Sequence, residues 1–189
     1  VGCPLICVVN QTSKGLRNTE RWTVTAVSAT ELCAKLDDGD DTLIASTGND
    51  TLNGGNDNDS FIIDGTRGYG DAFNGGAGTD VIHNFHTADP YQGSSSIYFD
   101  SSSSFSSIEE INAYGQDIRL ASTTTIDFST ISTMTAVVRI LGSGQADNIT
   151  GSQDDDTIEG GNGDDIINGG IGDDTLDGDN NDDTVNGGA

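Results

Sequence analysis

Aspartate recurs at nine-residue intervals in two parts of this chain, and a large apolar residue stands two positions after each of these aspartates. The pattern is clearest from Gly151, where successive units read GSQDDDTIE, GGNGDDIIN, GGIGDDTLD and GDNNDDTVN. Counted from the first residue of each unit, aspartate holds the sixth place and the apolar residue the eighth. Carboxylates at a fixed interval indicate repeated ligation of a hard cation, because such cations prefer oxygen ligands.

The same unit recurs in an earlier block, where three inserted residues within the segment from Ile63 to Gly70 shift the phase. Glycine is frequent at the second and fourth places, and it lets the backbone turn with a positive φ and point carbonyl oxygens at an ion. The sixth-place aspartates, which we predict to be metal ligands, are Asp41, Asp50, Asp59, Asp71, Asp80, Asp147, Asp156, Asp165, Asp174 and Asp183. The glycines that we predict to contribute to the metal sites are Gly39, Gly48, Gly76, Gly78, Gly161, Gly163, Gly170 and Gly172.

A nine-residue unit divides naturally into a six-residue turn and a three-residue strand. Since side chains alternate across a strand, only the eighth-place residue needs to point inward. Two units then make one coil of a solenoid, with coils about 4.8 Å apart. This arrangement predicts that one sheet stacks Ile149, Ile167 and Val185, and that the opposite sheet stacks Ile158 and Leu176.

Stacked coils would bring the sixth-place carboxylates close together, and without a counter-ion such a column repels itself. Calcium removes the conflict because it accepts six to eight oxygens in a flexible geometry, whereas magnesium demands an octahedron and keeps its waters. The alternative is a flexible, solvated Gly/Asp-rich linker. A linker would not need an apolar residue at a fixed eighth place, so we favour the calcium ladder.

The units resemble the repeats-in-toxin (RTX) nonapeptide GGxGxDxUx, in which U is a large apolar residue. The resemblance covers residues 36–83 and about 142–189, with departures at the fourth place, where Asp57, Asp154 and Asn181 replace glycine. It implies an all-β fold, a right-handed parallel β-roll or β-solenoid with stacked calcium-binding turns, and Ca²⁺ as the bound cofactor.

Composition excludes several other classes of protein. The chain has 189 residues and carries 31 Asp+Glu against 7 Lys+Arg, a formal net charge of −24. Aspartate and glycine are poor helix formers, which excludes a helical bundle, a coiled coil and a doubly wound α/β domain. A chain this anionic does not attract nucleic acid or an anionic membrane. No apolar stretch approaches the roughly 20 residues of a membrane span.

The chain divides into four segments. Residues 1–36 lie outside the repeat and are expected to form a strand-containing cap, with a Cys7–Cys33 or Cys3–Cys33 disulfide open as alternatives. Residues 37–83 and 141–189 form the two calcium blocks. Residues 84–140 are rich in Ser and Thr, and their recurring short apolar runs favour further coils without calcium turns over a flexible spacer or a glycosylated stalk.

No catalytic signature such as HExxH, GxSxG or a Gly-rich phosphate loop is present, so the sequence predicts that the protein is not an enzyme. His83 and His86 form an HxxH, which we interpret as a solvated pair rather than a metal site. We expect a secreted or cell-surface, calcium-binding structural protein of a surface layer, adhesin or filament. The alternative is a calcium-dependent folding and export module of a larger secreted enzyme or toxin.

The repeat continues through Gly187 and Gly188 to the last residue given. An uncapped coil leaves a strand edge open, and this favours self-association end to end or side by side. Truncation of a longer chain explains the same feature.

Overall fold

The computed structural model describes Thr23–Val24 and Cys33–Lys35, and then residues 39–45, 48–63, 70–84 and 96–189. All regular elements in these residues are β-strands. They are β1 (Thr23–Val24), β2 (Cys33–Lys35), β3 (Thr42–Ala45), β4 (Thr51–Asn56), β5 (Ser60–Ile63), β6 (Ala72–Ala77), β7 (Val81–Asn84), β8 (Ile97–Phe99), β9 (Ser104–Ser106), β10 (Glu110–Leu120), β11 (Thr125–Asp127), β12 (Thr133–Leu141), β13 (Asn148–Thr150), β14 (Thr157–Glu159), β15 (Ile166–Asn168), β16 (Thr175–Asp177) and β17 (Thr184–Asn186). The predicted disulfide and His86 lie outside the described residues.

The strands form three parallel sheets. One sheet has nine strands in the order β1-β3-β5-β7-β10-β12-β14-β16, with β8 also paired to β10, and two four-stranded sheets follow the orders β2-β4-β6-β9 and β11-β13-β15-β17. The chain passes from the large sheet to a small one and back, and each strand pairs in parallel with its counterpart one coil away. This winding is a parallel β-solenoid, which confirms the predicted fold class.

The second repeat block has the predicted register. Ile149 pairs with Ile167, which pairs with Val185, while Ile158 pairs with Leu176 in the large sheet. The strands β13 to β17 are three residues long and begin nine residues apart. Each unit therefore consists of the six-residue turn and three-residue strand that the spacing predicts.

The first block follows the same scheme with longer strands. Leu43 pairs with Phe61 at a separation of 18 residues, whereas Leu52 pairs with Phe73 at a separation of 21. The change of three residues confirms the insertion predicted within the segment from Ile63 to Gly70. Strands β4 and β6 are six residues long because they remain paired through their glycines.

The middle segment continues the same sheets. Ile111 of β10 pairs with Ile82 of the first block and with Met134 of β12. Ile140, also in β12, pairs with Ile158 of the second block. The large sheet therefore runs without a break from the first repeat block into the second.

Phenylalanines fill the core where the first block meets the middle segment. The ring centroid of Phe105 lies 4.9 Å from that of Phe99, 5.5 Å from that of Phe128 and 6.2 Å from that of Phe73. Such contacts contribute about 0.5–1.5 kcal/mol each beyond the buried area. Large aromatic side chains therefore stabilise coils that contain few of the sixth-place aspartates.

Candidate metal centre

The sixth-place aspartates lie in the turns, immediately before the strands, and most of their surface is buried. Asp71 and Asp80 have no exposed surface, and Asp59 and Asp165 are each 1% exposed. Carboxylates this buried are rare unless they are paired or ligate a metal. The others that are also buried are Asp41, Asp50, Asp147 and Asp156.

Within the described part of the chain, one carboxylate oxygen joins neighbouring coils in seven of the ten sixth-place aspartates. Oδ1 of Asp165 accepts a hydrogen bond from the backbone N–H of Asp147 at 2.7 Å, and Oδ1 of Asp183 accepts one from the N–H of Asp165 at 2.8 Å. The N–H of Asp41 donates to Oδ1 of Asp59 at 2.8 Å in the first block. These bonds form a ladder along the solenoid, and they satisfy backbone groups that the turns would otherwise leave buried.

The ladder continues into the middle segment through residues that the repeat does not identify. The N–H of Asp80 donates to Oε2 of Glu109 at 2.8 Å, and the N–H of Thr124 donates to Oδ1 of Asp147 at 2.6 Å. Sequence reasoning missed Glu109 and Thr124. The signal was present, because each stands two positions before a buried isoleucine, Ile111 or Ile126.

The second carboxylate oxygen, Oδ2, has no hydrogen-bond donor in five of the turns. A buried acceptor left unsatisfied costs about 1–3 kcal/mol, and more when it is charged. A cation at these positions would remove that cost. The residues with such a buried Oδ2 are Asp59, Asp71, Asp80, Asp165 and Asp174.

A backbone carbonyl of the next coil approaches the same space. A Cβ atom placed on Gly160 would lie 2.5 Å from Oδ2 of Asp165 and 2.8 Å from the carbonyl oxygen of Gly178. Two oxygen acceptors thus converge where the first-place glycine carries no side chain. The same convergence recurs in five other turns: Asp59 with the carbonyl of Gly75, Asp80 with that of Ser107, Asp147 with that of Gly160, Asp156 with that of Gly169, and Asp174 with that of Gly187.

Glycine is required at these turns by backbone conformation as well as by space. Gly161 and Gly163, at the second and fourth places, have φ values of 102° and 126°. All eight glycines predicted to contribute to metal sites have positive φ. Asp57 and Asn181 keep the turn conformation at the fourth place, with φ values of 68° and 88°, because Asp and Asn tolerate this region better than other side chains. Asp154 does not adopt it.

Burial and the neighbouring negative charges both disfavour the ionised form of these carboxylates. Burial raises the pKa of Asp71 from 3.8 to about 7 and that of Asp59 to about 6, with neighbouring carboxylates adding to the rise and the backbone N–H donor opposing it. The pKa values of Asp80 and Asp165 are raised by the same cause. At neutral pH such a ladder needs positive charge beside it.

The donor set fits calcium rather than a transition metal. Nowhere in the described part of the chain do three His, Cys, Asp or Glu side chains cluster as a metal site. An ion at these turns would draw on one carboxylate and on a backbone carbonyl of the next coil, and such oxygen ligands are typical of calcium. His83 lies apart from the turns, with its ring 5.8 Å from that of Tyr114 and its Nδ1 3.3 Å from the Tyr114 hydroxyl.

Comparison with protein families gives a match to the RTX calcium-binding nonapeptide repeat (four copies), over residues 37–69, 141–176 and 159–189. Both blocks contain RTX calcium-binding nonapeptide repeats. Neither the curated proteins nor the solved structures gave a match. The RTX turn geometry extends beyond the matched residues, because Asp80 in the unmatched stretch has the same buried Oδ2 and the same converging carbonyl. No helix in the described residues is long and apolar enough to cross a membrane.

When calcium is bound, the two carboxylate oxygens and the backbone carbonyl of each RTX turn have different roles. Calcium would supply positive charge shared between two coils, and the Oδ2 atoms and carbonyls described above would hold it. The Oδ1 atoms would remain bonded to backbone N–H groups, so that each aspartate joins its ion to the protein frame. The ten aspartates and eight glycines predicted from the sequence remain predicted contributors to these sites.

Proposed function

We propose that this protein is a secreted, non-enzymatic structural solenoid whose folding is driven by calcium, as part of a surface layer, an adhesin or an extracellular filament. The observation that supports the proposal most strongly is the buried Oδ2 of Asp165, which has no donor and lies beside the carbonyl of Gly178. Three other turns, those of Asp59, Asp80 and Asp174, repeat this arrangement, so sites that need a metal occur along the molecule.

Calcium-driven folding follows from how little else stabilises the repeat coils. Most nine-residue units bury one large apolar side chain, but Val185 of the last unit is 48% exposed. Only 33% of the chain is hydrophobic. The two blocks contain 22 aspartates, whose mutual repulsion opposes compaction. Where binding requires a site that exists only in the folded chain, the binding free energy contributes to folding.

The ligand set also supports an extracellular location. Calcium affinity rises with the number of charged ligands and the rigidity of the site, and extracellular modules bind at about 10⁻⁴–10⁻³ M. One carboxylate per turn with neutral carbonyls is a weakly charged set. Such sites fill at extracellular calcium concentrations, and the chain would fold after export.

A scaffold role is supported by the continuity of the large sheet across both blocks and the middle segment. The runner-up is a calcium-dependent folding and export module of a larger secreted enzyme or toxin. Intact-mass measurement and terminal sequencing of the natural polypeptide separate them. A larger parent with a catalytic domain would contradict the structural role.

Self-association is part of the proposal, and the exposed fifth-place carboxylates support it. Asp155 accepts a hydrogen bond from the N–H of Asp173 at 2.8 Å, and Asp164 accepts one from the N–H of Asp182 at 3.2 Å. These pairs form acidic rows at which calcium can bridge two copies. Light scattering should show that the particle mass increases when millimolar calcium is added. A particle that stays strictly monomeric at high protein concentration would contradict self-association.

Small-angle X-ray scattering during a calcium titration tests the core of the proposal. The chain should change from an expanded coil to a compact rod with a midpoint at about 10⁻⁴–10⁻³ M calcium. Magnesium at the same concentration is the control and should leave the chain expanded. Compaction that is equal with either ion, or complete without any, would contradict the proposed function.

A further inference from the structure

Two turns of the second block differ from the five turns with a donor-free Oδ2 in how their sixth-place carboxylate is satisfied. Oδ2 of Asp156 accepts hydrogen bonds from the backbone N–H of Ser152 at 2.6 Å and from its hydroxyl at 2.9 Å. Oδ2 of Asp147 accepts one from the N–H of Ser143 at 2.6 Å. In both units serine holds the second place of the repeat, where the neighbouring RTX units have glycine.

The backbone conformation of the second place separates the two kinds of turn. Gly161 and Gly170 have φ values of 102° and 106°, and the Oδ2 atoms of their units, on Asp165 and Asp174, have no donor. Neither serine has a positive φ. The backbone N–H of each serine donates to the carboxylate, whereas no donor reaches Oδ2 in the turns whose second-place glycine has a positive φ.

The serine hydroxyls accept further hydrogen bonds within the same two turns. Oγ of Ser152 accepts the backbone N–H of Asp154 at 3.1 Å, and Oγ of Ser143 accepts that of Gln145 at 3.2 Å. The fourth-place side chains then face the middle segment. Oδ2 of Asp154 accepts the N–H of Met134 at 3.3 Å, and the hydroxyl of Thr123 donates to Gln145 at 2.8 Å.

We propose that Ser143 and Ser152 close these two turns to calcium, so that Asp147 and Asp156 are held by internal hydrogen bonds instead of by an ion. This inference rests on the proposed function, because it states which RTX turns of this chain bind calcium. Each Oδ2 already faces N–H or O–H donors, and a cation in that space would meet their positive hydrogens. The repeat pattern alone assigns calcium to both turns.

The two closed turns connect the second block to the middle segment without a bound ion. Calcium in the second block is confined to the turns from Gly160 onward, and the coils before it are joined to the middle segment by hydrogen bonds and not by an ion. The metal-free part of the solenoid therefore extends from the middle segment through residue 159. The calcium ladders of the two blocks are separate and fill independently.

Paired isosteric variants of the full chain test this assignment. Asp156→Asn keeps an oxygen acceptor for Ser152 and removes the charge, and Asp165→Asn makes the same change in an open turn. Equilibrium dialysis with calcium should show that Asp165→Asn loses bound ion or binds it about tenfold more weakly, while Asp156→Asn matches the natural chain. Equal losses in the two variants would overturn the proposal.

A gain of binding provides the second test. Ser152→Gly combined with Asp154→Gly restores the repeat consensus and should add one bound calcium per chain. Ser101→Gly, at an exposed position in the turn after β8, is the matched control and should add none. An unchanged count in the double variant, with its β-sheet signal intact, would overturn the proposal. Failure of the natural chain to bind any calcium is a separate outcome, and it would overturn the proposed function.

Discussion

At the scale of single residues, the two oxygens of each ladder aspartate have different tasks. Oδ1 of Asp165 is committed to a backbone N–H, whereas its Oδ2 has no donor and faces the position of an ion. Asp164, the preceding residue, is exposed and accepts only a 3.2 Å bond from a backbone N–H of the next coil. Adjacent aspartates of the same repeat therefore differ in function.

Replacing these two residues measures that difference. Asp165→Ala removes the predicted ligand and also leaves the N–H of Asp147 without its acceptor, which costs about 1–3 kcal/mol of folding free energy. The calcium response of the second block should weaken strongly. Asp164→Ala is the control and should change it little at a protein concentration too low for bridging between copies. Calcium titrations followed by circular dichroism compare them, and equal effects would mean that the predicted register is off by one residue.

The raised pKa values predict how pH acts on the fold. The pKa of Asp71 is about 7 in the metal-free fold against 3.8 unfolded, so that fold binds more protons than the unfolded chain between these values. Its stability should therefore fall as pH rises from about 4 to 7. Calcium binds the ionised carboxylate, so the calcium concentration at the midpoint of folding should rise as pH falls from about 8 to 5. Titrations at both ends of this range check it, and a constant midpoint would argue against buried carboxylates as ligands.

At the scale of the elements, the sequence predicts the repeat strands well because one physical rule fixes them. An apolar residue every nine positions determines which side chain enters the core, as the Ile149–Ile167 and Ile158–Leu176 pairs show. The middle strands depend on irregular apolar runs, so their pairing partners could not be derived. The serine turns could not be found either, because their closure depends on the direction of a backbone N–H rather than on a residue pattern.

The turns should be intolerant of a side chain at their first place. A Cβ on Gly160 would lie 2.5 Å from Oδ2 of Asp165 and 2.8 Å from the carbonyl of Gly178, so Gly160→Ala must displace both oxygens. We expect a weaker calcium response and a lower unfolding temperature in calcium. Gly144→Ala is the matched control, because nothing lies within 4 Å of its Cβ position. Equal behaviour of the two variants in calorimetry would contradict the site geometry.

At the scale of the whole molecule, net charge and core size set the requirement for metal. The chain carries a net charge of −24, and five or six calcium ions would supply about ten to twelve positive charges. In a solenoid each coil contacts only its neighbours, so stability spreads from coil to coil. Loss of the ions from both blocks would leave the middle coils without stable neighbours on either side.

Far-ultraviolet circular dichroism of the full chain tests this account most directly. In a strong chelator the β-sheet signal should be largely lost, and millimolar calcium should restore it, whereas magnesium should not. The physical reason is that the buried Oδ2 atoms and repelling carboxylates oppose the metal-free fold. A β-sheet spectrum that is unchanged by the chelator would contradict the claim that calcium drives folding.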